Sequence, residues 1–360
     1  MGYLKKEKVV KNELIQNRIK LLVLEMQYYG FKGSYDIDKN GNIEWNLDDS
    51  IKLEIVLGGH GGDDLIIIWF VAPDGKTYPY FDEFNTDSNY ELIKALKEYN
   101  ECKYQINEKK KLFGKKDYEI SFVKPDKVKR NTILRDKVKN ESYWEEHIER
   151  LKYDMLEMDY KLKDVKPDRL DEAKSFVELI RLKLLVSLYS AGEDINECKK
   201  LYIMNLNNIV DSNIKIENYV DLIWYISLGV LFNIKQQEIE ILDNMILPKF
   251  REDKLVCYFM NYLKSDHSEG KTYFIKEPYS YLEELLNDKI EDLNDYMIEY
   301  SKKWYASHHN EYWYNSHKEY GNYFGYWSFE LGAIIKIKGL NNESLKDINY
   351  YPYDLVEFKD

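Results

Sequence analysis

The stretch PDRLDEAKSFVELIRLKLLVSLYSAG, residues 167–192, decides the fold of the larger part of this chain. Its apolar residues recur three and four positions apart, which is the period of an α-helix that buries one face. Pro167 stands where the first turn of a helix tolerates proline, and Gly192 stands where a helix commonly ends. The pattern therefore predicts one long helix between these two residues.

The same period continues on both sides of this helix, from Tyr143 to Gly339. Upstream it includes ESYWEEHIERLKYDMLEMDYKL at residues 141–162, and downstream it includes nearly apolar segments at 223–232, 239–246 and 255–263. Nearly apolar helices are core elements of a bundle, and no strand signal interrupts them. We therefore predict an all-α domain over residues 141–360.

Residues 1–106 follow a different pattern. An amphipathic helix is predicted before Gly30, two strands are predicted around the turn Asn40-Gly41, and β-rich runs follow at 51–57, 64–72 and 76–81. We predict a small α+β domain here and a basic, lysine-rich linker over residues 107–140, in which one short strand near Tyr118 to Val123 is the only regular element indicated. The predicted fold is thus mainly α, with a C-terminal all-α helical bundle preceded by a small N-terminal α+β domain.

The charge of the chain lies in its C-terminal part. The net charge is −12, yet positive and negative residues balance over residues 1–130, so the whole excess falls in residues 131–360. An acidic surface repels nucleic acid and anionic lipid and attracts basic proteins. We therefore expect a basic protein partner and neither direct nucleic-acid binding nor membrane binding.

The cysteines and the hydropathy indicate the compartment. Cys102, Cys198 and Cys257 form no CxxC pair, which is typical of reduced thiols in a reducing compartment. No apolar stretch approaches the roughly 18 residues that cross a bilayer. We expect a soluble, cytoplasmic protein.

One segment, SYLEELLNDKIEDLNDYMIEY at residues 280–300, is unusually acidic. Its carboxylates are Glu283, Glu284, Asp288, Glu291, Asp292, Asp295 and Glu299. Such a run is commonly the solvent face of a helix. It can also imitate a phosphate backbone, because a nuclease must present Lys and Arg to its substrate. The sequence leaves both interpretations open, and we name these residues as the candidate binding set.

Residues that carry catalysis are hard to find in this sequence. His308, His309 and His317 crowd one region, but no HExxH motif and no convincing carboxylate at ligand spacing accompany them. No nucleophile elbow and no kinase signature occurs. We expect a protein that is not an enzyme and needs no cofactor or metal; the alternative is a metal-dependent hydrolase built on these three histidines.

The most specific sequence feature is the tail KKWYASHHNEYWYNSHKEYGNYFGYWSFELGAIIKIKGLNNESLKDINYYPYDLVEF, residues 302–358. Its GYWSFE and YYPYDLV segments resemble the C-terminal signature of the PoNi family of bacterial immunity proteins. The segments ESYWEEHIER and DRLDEAKSFVELIRLKLLVSLYSAG resemble the N-terminal helical part of the same family, so the resemblance covers about residues 130–358. It implies an all-α immunity protein that binds and neutralises a PoNe-type DNase toxin passed between competing bacteria.

Two departures from the family pattern leave the identity of the toxin open. Asn341, Asn342, Glu343 and Ser344 replace a DDSS-like loop, and Glu357 stands where a histidine often follows YYPYDLV. The resemblance does not cover the first 125 or so residues, a stretch of about the usual length of a domain. These residues could add a second specificity element, a homodimer contact or a docking surface. For the protein as a whole, the remaining alternative is a protein-interaction scaffold without a toxin partner.

The motif residues themselves have two interpretations. We predict that GYWSFE lies on a helix whose apolar face continues through Ile334, Ile335 and Ile337. Buried aromatic side chains with a satisfied polar edge usually lock a core, which favours a structural role over direct toxin contact. The motif set is Trp304, Gly325, Tyr326, Trp327, Glu330, Tyr350, Tyr351, Pro352, Tyr353 and Asp354.

Overall fold

The computed structural model describes part of the N-terminal region and nearly all of the C-terminal region. The described residues are 20–28, 30–31, 34–37, 43–46, 52–59, 62–71, 77–79, 84–85, 93–94, 103–110, 116–123 and 133–359, the last range without 213–214, 266, 288–289, 291–292 and 320. The chain divides into two compact units, residues 1–130 and 131–360, which we call the N-terminal unit and the helical unit.

The N-terminal unit contains a helix at residues 20–28 and antiparallel strands. The strands are β1 (Ser34–Ile37), β2 (Ile43–Asn46), β3 (Lys52–Gly59), β4 (Gly62–Val71), β5 (Thr77–Pro79) and β6 (Phe84–Asn85). They form one sheet in the order β1-β2-β3-β4-β5, with β6 also paired to β4. The predicted strands are thereby confirmed, and the predicted turn at Asn40-Gly41 lies outside the described residues.

Strand β2 illustrates why this sheet forms. Ile43 and Trp45 are fully buried, whereas Glu44 between them is exposed, so side chains alternate between the two faces as a half-buried strand requires. The ring of Trp45 stacks on Phe31 at 5.2 Å between centroids. Apolar and polar residues therefore alternate along β2 in step with buried and exposed positions.

A second antiparallel pair, β7 (Lys103–Lys110) and β8 (Lys116–Val123), occupies much of the stretch that we predicted as a linker. Its register places Ile106 opposite Ile120 and Tyr104 opposite Phe122. The strand predicted near Tyr118 to Val123 is confirmed as β8, its pairing with β7 was not predicted, and the domain boundaries stay a prediction.

The helical unit is built from α-helices joined by turns, 3₁₀ turns and a few longer irregular segments. We number them α1 (Glu141–Lys161), α2 (Leu170–Ser190), α3 (Ile195–Ser212), α4 (Tyr219–Leu231), α5 (Gln236–Met245), α6 (Lys254–Lys264), α7 (Glu283–Leu286), α8 (Leu293–Ser307), α9 (Phe329–Lys338) and α10 (Tyr353–Glu357). The chain is therefore mainly helical, which confirms the predicted fold class.

Helix α2 matches the prediction closely. A 3₁₀ turn at Pro167–Arg169 leads into it, it ends at Ser190, and Gly192 takes a positive φ of 85° just beyond it. Proline before the first turn and a left-handed glycine after the last are the usual boundaries of a helix. Pro167 and Gly192 therefore mark the two ends of this helix in the sequence.

Helix α4 is the centre of the core. All thirteen of its residues are buried, which explains its nearly apolar sequence. Helix α9 packs against it. At Gly229 a Cβ atom would lie 2.9 Å from Leu242 Cδ1 and 3.0 Å from the Tyr202 hydroxyl, so neighbouring helices approach α4 closely only because this residue is glycine.

Within the described part of the chain, the helices fall short of the combined length and apolar character that a bilayer crossing demands.

Candidate functional site

The acidic segment 280–300 does not form one continuous helix. A 3₁₀ turn at Tyr279–Leu282 leads into the short helix α7, and α8 begins only at Leu293. Glu284, Asp295 and Glu299 are exposed, and Glu283 is half-buried. Asp288, Glu291 and Asp292 lie outside the described residues.

Lysines from outside the segment neutralise part of its charge. Lys254 Nζ on α6 lies 2.6 Å from Glu283 Oε1, and Lys302 Nζ lies 2.9 Å from Glu299 Oε1. The bond from Lys302 lowers the pKa of Glu299. Such exposed pairs add little to stability, but they reduce the negative field that a partner meets. Glu284 and Asp295 are the other exposed carboxylates among the described residues of the set.

The segment also has a rigid aromatic support. The Tyr296 hydroxyl donates to the Tyr281 carbonyl, and Lys303 Nζ lies 4.8 Å from the centre of the Tyr281 ring. Lys338 Nζ donates to the Leu286 carbonyl at 3.1 Å. These contacts tie the backbone around α7 to helices α8 and α9, so Glu284 stands on a fixed surface.

The motif GYWSFE is only partly helical, which corrects our prediction. Helix α9 begins at Phe329, so Gly325, Tyr326 and Trp327 precede it in extended or irregular backbone. Gly325 has a φ of 109°, a conformation that L-residues rarely adopt. The Trp327 indole N–H donates to Ser190 Oγ at 2.8 Å, which brings this segment against the end of α2. The close approach, rather than a helix, is what the glycine serves.

Glu330 is a fully buried carboxylate that gathers three donors. Its Oε1 accepts from Trp304 Nε1 at 2.6 Å, from Ser328 Oγ at 2.7 Å and from the Tyr300 hydroxyl at 3.0 Å. Burial raises the pKa of Glu330, and these hydrogen bonds oppose that rise. The arrangement joins α8 to the start of α9 inside the core.

Trp304 belongs to a ladder of stacked indoles. Its ring lies 5.6 Å from that of Trp313, and Trp313 lies 5.7 Å from Trp224 on α4, with interplanar angles of 18° and 23°. All three rings are buried. Stacked rings of this kind contribute packing beyond the area that they bury. The ladder connects the tail of the chain to its central helix.

The YYPYDLV segment closes the helical unit. Tyr351 and Pro352 are buried, Tyr350 and Tyr353 are half-buried, and Asp354 is exposed. Gly332 lets α9 approach this segment, because a Cβ there would lie 2.7 Å from Pro352 Cγ. The segment therefore forms part of the core, with only Asp354 at the surface.

Asp354 holds the first residues of the helical unit. Arg135 Nε lies 2.6 Å from Asp354 Oδ2, and Arg135 Nη1 donates to the carbonyls of Tyr189 and Glu193 at 3.1 and 2.7 Å. Tyr323 donates its hydroxyl hydrogen to the buried Asp136 next in sequence. The beginning of the unit, the end of α2 and the last helix are thus bound together.

The three candidate histidines do not form a site. His308 is buried and its Nδ1 lies 2.6 Å from the Trp304 carbonyl, while its Nε2 lies 3.1 Å from the Tyr279 hydroxyl. His317 Nδ1 lies 2.9 Å from the Tyr326 hydroxyl, and His309 Nδ1 lies 3.2 Å from the Ala306 carbonyl. Burial lowers the pKa of His308 to about 4. Each ring is engaged by a different neighbour, so the geometry does not support the alternative of a metal-dependent hydrolase.

Two profiles of known protein families match the helical unit. A family profile described as "PoNe immunity protein (PoNi), N-terminal" matches residues 135–244, and one described as "PoNe immunity proteins (PoNi), C-terminal" matches residues 251–355. The chain belongs to the PoNe immunity protein family. The resemblance seen in the sequence is confirmed, and with it an immunity role.

Other comparisons are weaker. A solved structure described as protein PA2201 from Pseudomonas aeruginosa is 15% identical over 63% of this chain and 91% of its own, with a TM-score of 0.49. No curated protein matches the chain.

In this PoNe immunity protein, the contacts described above join the two matched parts into one body. Arg135 is the first residue of the N-terminal match, Asp354 is the last but one of the C-terminal match, and their side chains form an ion pair. Trp327 and Ser190 connect the same two parts in the core. The motif set therefore holds the fold, and surfaces outside it are left for a partner.

Proposed function

We propose that this PoNe immunity protein binds its cognate DNase toxin and blocks it with an acidic, aromatic-rich surface of the helical unit, performing no chemistry itself. The observation that carries the proposal is the charge: the excess of −12 falls entirely in residues 131–360, the part that matches the family. A nuclease must be cationic where it holds its substrate. Opposite charges speed association and exclude wrong partners.

Glu284 and Asp295 are the first candidates for this contact, together with Asp288, Glu291 and Asp292 from the same segment. Glu284 and Asp295 are exposed in a segment whose tyrosines, Tyr281 and Tyr296, are held by a hydrogen bond and a cation–π contact. These tyrosines therefore lose little side-chain freedom when a partner binds. The toxin acts on DNA inside the cell, and we infer that the immunity protein works in the cytoplasm, where its buried thiols Cys198 and Cys257 stay reduced.

The experiment is protection in living cells followed by inhibition in solution. Cells that express the nuclease domain of the cognate toxin should survive with the wild-type chain and die with an empty vector. Purified wild-type chain should inhibit DNA cleavage at one molecule per molecule of toxin. Death of the protected cells would overturn the proposal.

The acidic segment is tested by replacing Glu284, Asp288, Glu291, Asp292 and Asp295 with lysine. We expect inhibition to weaken at least ten-fold, since each interface charge pair contributes about 1 kcal/mol or more. The matched control reverses five exposed carboxylates elsewhere, namely Asp164, Asp168, Glu240, Glu269 and Glu357. Equal inhibition by the two variants would remove the segment from the interface.

A further inference from the structure

Tyr312 is an exposed aromatic residue with a fixed position. Its side chain is 45% exposed, yet its hydroxyl donates to Asp221 Oδ1 at 3.1 Å. Its ring stacks on the buried Phe324 with centroids 6.3 Å apart, and Lys183 Nζ lies 5.3 Å from its centre. Neither GYWSFE nor the acidic segment contains this residue.

The surroundings of Tyr312 contain more carboxylates than ammonium groups. Asp221 is buried in the first turn of α4, and the adjacent Glu311 is half-buried and accepts from Asn218 Nδ2 at 3.2 Å. Asp154 on α1 and Lys183 on α2 complete the group, since both carboxylates of Asp154 and Asp221 act on Lys183. Asp154 and Asp221 thus both act on one half-buried lysine, and Glu311 has Asn218 as its hydrogen-bond donor.

Burial acts against the ionised forms of all three carboxylates, and the positive charges of Arg150 and Lys183 oppose it at Asp154. Burial raises the pKa of Asp221 to about 7 and also raises the pKa of Asp154 and of Glu311. Burial lowers the pKa of Lys183, and its acidic neighbours oppose that change. A further cation placed beside these carboxylates would stabilise their ionised forms.

Rigid exposed aromatic residues beside desolvated charges are typical of the few residues that dominate a protein interface. A side chain already fixed by a hydrogen bond and a stacked ring loses little entropy when a partner covers it. Other exposed residues of similar size, such as Tyr262 at 49%, provide the comparison.

We propose that Tyr312, with Glu311 and Asp221, forms a contact for the cognate toxin, which places an arginine or lysine and an adjoining apolar side chain on this surface. The inference rests on the proposed function, because the partner is the basic nuclease domain. The charge argues for this occupant: the carboxylates here match a cationic surface, as does the net charge of the helical unit. Because α1, α2, α4 and the 311–312 turn converge here, the contact exists only in the assembled fold.

The test measures binding of the full-length chain to the cognate nuclease domain made inactive by mutation of its catalytic residue. Tyr312→Ala should weaken the affinity at least 30-fold, the loss expected for a dominant interface residue. The matched control Tyr262→Ala changes a tyrosine of similar exposure and should stay within 3-fold of wild type. Tyr312→Ala within 3-fold of wild type, or an equal loss in both variants, overturns the inference.

A second variant covers the case in which Tyr312→Ala fails to fold. Glu311→Gln keeps an oxygen that can accept from Asn218 and removes one charge, so the fold should survive, as thermal unfolding will verify. It should slow association at low salt and make the rate less dependent on salt, as the loss of an interfacial charge does. An unchanged rate and salt dependence contradicts the inference. If the wild-type chain itself neither protects cells nor binds the toxin, the proposed function fails; if only these variants behave as wild type, the contact at Tyr312 alone fails.

Discussion

Replacing Gly325 with alanine should strongly destabilise the helical unit. The residue has a φ of 109°, and a Cβ there would lie 2.1 Å from Ser190 Oγ and 2.8 Å from Trp327 Nε1. These two atoms are hydrogen-bonded to each other at 2.8 Å. The added methyl group therefore cannot be accommodated without moving the end of α2 away from the GYWSFE segment.

Three contributions give the magnitude. A non-glycine residue in this region of backbone space costs about 1–3 kcal/mol. Overpacking of a close-packed core costs about 1–3 kcal/mol, and loss of the hydrogen bond between Ser190 and Trp327 costs about 1 kcal/mol. The sum, about 3–7 kcal/mol, is a large part of the roughly 5–15 kcal/mol that stabilises a typical domain.

Urea unfolding of the full chain, followed by far-ultraviolet circular dichroism, measures this loss, because the helical unit dominates that signal. The matched control is Gly339→Ala at the end of α9, where φ is 61° and no atom lies within 4 Å of the added Cβ. Its cost should be only the conformational one, about 1–2 kcal/mol. If the free energy of unfolding falls equally in both variants, the close approach to Ser190 is not what Gly325 serves.

Substitutions at four further residues test the charged groups that support the fold. Burial raises the pKa of Asp221 from 3.8 to about 7, so the free energy of unfolding should fall as the pH rises between these two values. Asp221→Asn should remove the part of this fall that is due to Asp221, as measured by urea unfolding at a series of pH values. Arg135→Ala should cost about 2 kcal/mol in the same assay, and Asp354→Ala should cost less because the carbonyl contacts of Arg135 remain. Glu330→Gln keeps an acceptor for the three donors, so it should change the melting temperature by only a few degrees, the shift that about 1 kcal/mol produces. Glu330→Leu removes the acceptor and should lower the melting temperature far more. Equal effects of the two variants would contradict the role of the carboxylate.

The helices of this protein could be predicted wherever the local sequence carries both the period and the boundaries. Pro167, Gly192 and the apolar spacing between them give α2, and the nearly apolar stretch after Asn218 gives the buried α4. Strands β1 and β2 follow from the alternation around Ile43 and Trp45. In each case the information lies within a few residues of the element that it determines.

The features that could not be predicted depend on partners far away in the chain. Gly325 has an apolar neighbourhood that looks helical, and only its contact with Ser190 on α2 explains the positive φ. Lys254 neutralises Glu283 from 29 positions away, so the acidic segment looks more negative in the sequence than it is in the fold. The strand near Tyr118 to Val123 was predicted, but its partner β7 was not, because the many lysines of this stretch leave no core pattern to read.

The candidate binding residues illustrate the same limit. The pair Tyr312 and Asp221 is separated by 91 positions, and no local pattern joins them. The only sequence signal available was the aromatic-rich composition of the tail, which marks core and surface tyrosines alike. Exposure and the hydrogen bond together separate Tyr312 from the buried rings around it.

The burial of the motif has a consequence for specificity. Trp304, Tyr326, Trp327 and Glu330 are the residues by which the family is most readily recognised here, and all four are buried. A side chain buried in the core can offer a toxin almost no surface. If immunity proteins of this kind distinguish one toxin from another, the choice must be made by exposed side chains such as Tyr312, which the motif does not include. A chimaera that keeps this core and exchanges only the exposed residues of the α1, α2, α4 and 311–312 surface should then change the toxin that is neutralised, while exchange of the motif residues should change stability alone.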